Sequence, residues 1–139
     1  TVDVAVGSYV HKGKNYTLVD TVHFHKIING MYKAVNSEFG SGATASIAAV
    51  PGLEICGKTG TAQNPHGDDH SVFACFAPRE NPKIAVVAYI ENGGFGASYA
   101  APIASLLTEM YLNHEISPER KDLEQRMISA NLMHKVRAK

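Results

Sequence analysis

The chain has 139 residues, with 13 Lys and Arg balanced by 13 Asp and Glu, two Cys and no Trp, the length of one domain or a piece of one. Apolar residues at 45%, charged residues at 19% and 12 Gly exclude disordered, collagen-like and coiled-coil classes, and a compact fold of 14.9 kDa should expose roughly 7,000 Å². Zero formal charge gives no global pull towards nucleic acid, and no apolar run reaches the ~18–20 residues of a bilayer span.

The elements follow in chain order. Ser8-Tyr9-Val10 and Tyr16-Thr17-Leu18-Val19 flank the turn cluster Lys12-Gly13-Lys14-Asn15, which predicts a short hairpin. Phe24, Ile27, Ile28, Met31, Tyr32 and Val35 then recur with the period of one buried helical face. Asp20 or Thr21 can cap that helix, and Phe39-Gly40-Ser41-Gly42 should end it. Ala43 to Val50 reads as one or two helical turns before Pro51-Gly52.

Three extended segments come next, Glu54–Ala62, Ser71–Ala77 and Lys83–Glu91. The connections between them are too short for parallel crossovers, so they should form an antiparallel meander. Ile84 to Ile90 is continuously apolar, as in a strand covered on both faces. After Asn92-Gly93-Gly94-Phe95-Gly96, residues Ser98 to His114 read as a helix with Ile103, Leu106, Leu107, Met110 and Tyr111 on one side. Ser117-Pro118-Glu119 opens a last, charged helix expected to run through Val136. The fold class is therefore α+β: an antiparallel meander of three strands flanked by helices.

Gly57-Lys58-Thr59-Gly60-Thr61 admits two incompatible readings. Gly52 to Thr59 satisfies G-x-x-x-x-G-K-[ST] letter for letter. A phosphate loop works, however, because a helix N-terminus follows its Lys-Thr, and here Gly60, Pro65 and Gly67 follow. The other reading takes Lys58-Thr59-Gly60 as the strand element that accompanies S-x-x-K and S-D-N in serine acyl-transfer clefts. Strand geometry places Lys58 and Gly60 on one face and Thr59 and Thr61 on the other. A lysine ammonium can hold an anion, a Gly lets a ligand lie against the backbone, and Thr hydroxyls and an edge N–H can donate to a carboxylate or an oxyanion. As a tripeptide alone K-T-G is also compatible with a surface strand of no function.

It does not stand alone. Gly57 to Gln63, Asp69-His70-Ser71-Val72-Phe73 to Phe76-Ala77-Pro78, Asn81-Pro82, Ile84-Ala85-Val86 to Glu91-Asn92-Gly93-Gly94 and Ala100 to Ala104, taken in order, resemble the C-terminal end of class B penicillin-binding proteins, within them the penicillin-binding protein 2 branch. Gly30-Met31 followed by Val35 resembles the helix that precedes the motif strand, and the likeness spans roughly residues 5 to 113. The resemblance implies part of the penicillin-binding transpeptidase and serine β-lactamase-like fold, acting as a peptidoglycan D,D-transpeptidase that cross-links stem peptides through an acyl-serine and is acylated by penicillin. On it, Lys58 assists proton transfer and anion binding, and Thr59 and Thr61 bind the substrate carboxylate. Thr61 N–H is an oxyanion donor, and Gly60 leaves room for the acyl chain. Asp69-His70 would lie near the lower wall of the cleft. It also implies no cofactor, no metal, a place at the periplasmic face of the bacterial inner membrane, and cell-elongation membrane proteins as partners.

The chain departs from that family in one respect that governs its chemistry. None of its nine serines has Lys three residues on; Ser117-Pro118-Glu119-Arg120 comes nearest, and Arg cannot act as a base. Ser129-Ala130-Asn131 spells S-x-N but follows the motif strand. Without a nucleophile and its base there is no covalent step. Residues 1–115 are thus expected to be the C-terminal portion of a transpeptidase domain and 116–139 a charged helical tail, inactive alone, its exposed apolar faces favouring self-association. A serine β-lactamase, a D,D-carboxypeptidase and a nonenzymatic scaffold are the alternatives.

The remaining features read more plainly. His23 and His25 diverge by about 200° on a helix, too far to share a metal. His66, Asp68, Asp69 and His70 suggest a solvated turn. Cys56 and Cys75 fall on neighbouring strands, and whether they meet depends on register. Lys121, Arg126, Lys135, Arg137 and Lys139 make the tail mildly basic, as a solvated helix face is.

Overall fold

A computed structural model of the chain describes residues 2–3, 8–37 and 42–133. The first unit is a small antiparallel sheet of β1 (Val2–Asp3), β2 (Ser8–His11) and β3 (Lys14–Thr17). The expected hairpin is present, but its turn is only Lys12-Gly13. Both residues have positive φ, 49° and 75°, the mirror-image turn whose twist suits a two-residue hairpin. The second strand ends at Thr17, two residues short of Val19.

Helix α1 (Thr21–Asn36) starts where Asp20 accepts a hydrogen bond from Val22 N at 3.0 Å, so Asp20 is the cap. It ends at Ser37, and the Phe39-Gly40-Ser41 stop signal lies outside the described residues. The apolar stripe is only partly covered. Val35 is fully buried, whereas Phe24 is 41% and Ile27 60% exposed. Periodicity places these residues on one face; the N-terminal half of that face remains largely open to solvent.

The central sheet is the expected meander: β4 (Cys56–Ala62), β5 (His70–Ala77) and β6 (Ile84–Ile90), antiparallel and in that spatial order. Along β5 burial alternates strictly, so Ser71, Phe73, Cys75 and Ala77 share one covered face. Helix α2 (Ala100–Asn113) packs on it. The helix turns its small and polar residues inward: Ala100, Ala101, Ala104, Ser105, Thr108 and Glu109 are buried, while Leu107, Met110 and Tyr111 are exposed. Small side chains bring the helix axis close to the sheet, and Phe73 fills the space between.

The other sheet face corrects an expectation. Val87 is 72% and Tyr89 52% exposed, so β6 is covered on one side, not two. The apolar run therefore combines a covered face (Ile84, Val86, Ala88, Ile90) with an exposed one (Ala85, Val87, Tyr89). A total exposed area of 9412 Å², about a third above the roughly 7,000 Å² expected from size, is consistent with such open faces.

Beyond α2, His114 takes a left-handed conformation (φ 63°) and ends the helix. A 3-10 turn (Pro118–Arg120) leads into α3 (Lys121–Ile128), which stops at Ser129, well before the expected Val136; residues 134–139 lie outside the described set. The turn is anchored deeply. Arg120 donates to Glu109 at 2.8 Å, to Ser105 Oγ at 2.6 Å and to the Ile47 and Ala49 carbonyls at 3.2 and 2.9 Å, and Glu109 also accepts from Ser117 N at 3.0 Å. Burial lowers the Arg120 pKa, with Glu109 opposing the shift.

Candidate active-site strand

Lys58, Thr59, Gly60 and Thr61 all lie within β4. Its register against β5 pairs Lys58 with Ala74, Thr59 with Phe73, Gly60 with Val72 and Thr61 with Ser71. Directly opposed residues point the same way. Lys58 and Gly60 therefore share the open face with Val72 and Ala74, and Thr59 and Thr61 project towards the α2 side, as alternation predicts. No helix follows Lys58-Thr59, which removes the geometric basis for a phosphate loop.

β4 has a single strand partner among the described residues, so its outer edge is free. An edge of this kind can accept an extended peptide through main-chain hydrogen bonds. Gly57 keeps the strand close to the core, since a Cβ there would overlap the Phe73 ring. Lys58 is exposed, forms no ion pair among the described residues, and curls its Nζ back to the Thr59 carbonyl at 2.6 Å. The Thr59 hydroxyl stands 3.4 Å from that of Thr44, a neighbour nothing in the sequence indicated. Thr61 is exposed. A free cation, two hydroxyls and an unpaired strand edge can together hold an extended chain that ends in a carboxylate.

Behind this strand the two flanking loops are tied together. Asn64 N donates to Asp69 Oδ1 at 3.1 Å and Asn64 Nδ2 to Asn92 Oδ1 at 3.0 Å, while Asn92 N donates to His70 Nδ1 at 3.0 Å. His66, Asp68, Asp69 and His70 thus belong to a self-bonded turn, and the described residues hold no cluster suited to a metal. His23 and His25 are exposed on α1.

Register also settles the cysteines. Cys56 opposes Phe76 and Cys75 opposes Gly57, so the two side chains leave opposite faces of the sheet and cannot form a disulfide. Both are free and buried, and burial pushes both thiols up. Arg120, the base position of the near-miss S-x-x-R, is committed to Glu109. The Ser129 hydroxyl, of the S-x-N near-miss, donates to the Gln125 carbonyl at 2.9 Å. Neither supplies a nucleophile.

Residues 6–109 match the family model of the penicillin binding protein transpeptidase domain. The chain is 35% identical to the peptidoglycan D,D-transpeptidase MrdA of Haemophilus influenzae, over 69% of this chain and 18% of that protein. It is 40% identical to the peptidoglycan D,D-transpeptidase PbpA of Mycobacterium tuberculosis, over 48% of this chain and 16% of that protein. Among solved structures it resembles Pseudomonas aeruginosa PBP2 in complex with WCK 5153, at a TM-score of 0.61 and 31% identity, covering 76% of this chain and 23% of that one. It also resembles penicillin-binding protein A of M. tuberculosis in its imipenem acyl-enzyme complex, with TM-score 0.58, 32% identity, and coverage of 70% and 22%. The chain therefore spans less than a fifth of the length of these curated relatives.

Proposed function

The chain belongs to the penicillin-binding protein transpeptidase family, and from that premise we propose that the protein it forms part of is a peptidoglycan D,D-transpeptidase of the elongation type. The observation that carries this reading is the K-T-G-T run on an edge strand, with Lys58 free of any carboxylate among the described residues and the outer strand margin open. A substrate lying along that margin meets the Lys58 cation on one side and the Thr59 and Thr61 hydroxyls on the other.

In the proposed reaction a serine Oγ attacks the carbonyl of the penultimate D-Ala of a stem peptide. The terminal D-Ala leaves with a proton, and the acyl group passes to an amine of a neighbouring strand. Thr59 and Thr61 hold the carboxylate, Thr61 N–H donates to the oxyanion, Gly60 leaves space for the acyl chain, and Lys58 stabilises negative charge and assists proton movement. No serine of this chain is followed by Lys at the required spacing. The nucleophile and its base are assigned to sequence upstream of Thr1, and the 139 residues alone are inactive. By the same reading β-lactams acylate the protein, and it works at the periplasmic face of the inner membrane beside cell-elongation membrane proteins.

Fluorescent penicillin tests the proposal in the full-length protein. A covalent label, competed by unlabelled penicillin and lost when the S-x-x-K serine becomes alanine, is the expected result. A folded full-length protein that never labels would support the scaffold alternative.

A further inference from the structure

The loop 93–96, between β6 and α2, is pressed against the back of the candidate strand. Ser71, fully buried and paired across the ladder with Thr61, donates its hydroxyl to the Phe95 carbonyl at 2.8 Å and accepts from Ala100 N at 3.1 Å. The loop is held from its other sides as well. Gly94 N donates to the Asp69 carbonyl at 2.7 Å, and Ala101 N donates to the Gly96 carbonyl at 2.9 Å. Two of the helix-start N–H groups that α2 cannot satisfy internally are thus supplied by Ser71 and by this loop. The Ser71 hydroxyl thus acts once as donor and once as acceptor.

The approach is close enough to require glycine. A Cβ at Gly96 would stand 2.7 Å from the Gly60 carbonyl oxygen and 3.0 Å from Thr59 Cβ, and nearer still to the Val72 carbonyl oxygen. A Cβ at Gly93 would stand 2.8 Å from that of Ser71. The backbone at 96 is therefore in contact with residues 59 and 60 themselves. This matters because β4 is paired on one side only, and an edge strand has fewer constraints on its twist and bend than a central one.

We propose that Ser71 and Gly96 are positioning residues for acyl transfer: they clamp the 93–96 loop as a rigid backing that fixes where the Thr59 and Thr61 hydroxyls and the Thr61 N–H stand. The inference rests on the reading of residues 58–61 given above. Neither residue need touch substrate. An oxyanion donor acts over a narrow range of distance, and displacement by about 1 Å can cost on the order of a hundred-fold in rate.

A purely structural role would lower stability without singling out the chemical step, so the test measures both in the full-length protein. Acylation by fluorescent penicillin is resolved into the dissociation constant of the noncovalent complex and the first-order acylation rate, alongside Tm. Thr108→Ala is the matched control. Thr108 is also fully buried on the sheet-facing side of α2, bonded to the Ala104 carbonyl at 2.8 Å and near Cys75 Sγ, four residues along β5 from Ser71. Ser71→Ala and Gly96→Ala should slow the acylation step roughly ten- to hundred-fold, while Thr108→Ala lowers Tm comparably to Ser71→Ala and leaves acylation unchanged. Should Gly96→Ala fail to fold, Ser71→Ala decides alone. A labelled wild type with undiminished acylation in Ser71→Ala overturns this inference and spares the transpeptidase reading. So does equal slowing in Thr108→Ala. An unlabelled wild type overturns both.

Discussion

The interior behind α2 and the motif strand are built on opposite terms. Around Arg120 the guanidinium has four acceptors, Glu109 has two donors, and both residues are nearly or wholly inaccessible. On β4 a lysine reaches only its neighbour's carbonyl, and the strand's outer margin is open among the described residues. The first region is densely paired and structural, each of its charged groups held by several partners within the protein. The second is open: an exposed cation beside a strand edge that has no strand partner among the described residues is suited to an extended, anionic chain. A charged side chain is informative about function to the degree that its own fold leaves it unpaired.

The strongest way to break this contrast is Arg120→Ala. It leaves Glu109 buried without its counter-ion, which should cost about 3–5 kcal/mol, read as a fall in the urea midpoint. The paired change Arg120→Met with Glu109→Leu should cost much less, because it removes the orphaned charge along with its partner. A loss of under about 1 kcal/mol in the single variant would mean that the ion pair contributes specificity and not stability. Lys58→Ala should act in the reverse sense. Exposed and unpaired, Lys58 should shift stability by no more than about 0.5 kcal/mol. The rate of acylation by fluorescent penicillin in the full-length protein should nevertheless fall roughly a hundred-fold or more. Wild-type acylation in that variant would remove Lys58 from the proposed site.

What was legible in the sequence was pattern, and what was not was the identity of the partner. Short turns forced the meander, and 3.6-residue recurrence marked α1 and α2. Strand alternation places Lys58 and Thr59 on opposite faces whatever the register. Periodicity shows which residues share a face but not whether anything lies against it. Hence Phe24 and Ile27 on α1, and Val87 and Tyr89 on β6, turned out exposed. On α2 Leu107, Met110 and Tyr111 face outward and the alanines face the sheet, since closeness of approach, not side-chain size, decides that contact. The motif strand could be read from five consecutive residues. Ser71, Gly96 and Thr44 could not, because a single serine, glycine or threonine has no spacing to betray it, and each matters through a residue distant in sequence. Arg120 looked like the failed base of a nucleophile motif and is instead the anchor of the C-terminal turn.

The open sheet face offers the gentlest test of the same contrast. Ala85, Val87 and Tyr89 alternate outward from β6, whose far edge has no strand partner among the described residues. An exposed apolar strand edge is a template for pairing with another chain, so the 139-residue chain should self-associate through this face. Val87→Ser combined with Tyr89→Ser removes apolar surface already in water, and should change stability by no more than about 0.5 kcal/mol while shifting the sedimentation profile towards monomer. In the full-length protein the same pair should cost more if further sequence covers the face, at about 25 cal/mol for each Å² of apolar surface withdrawn from water. Equal small costs in both proteins, with self-association unchanged, would show that this face needs no cover, and that openness in this fold is not confined to the strand bearing Lys58.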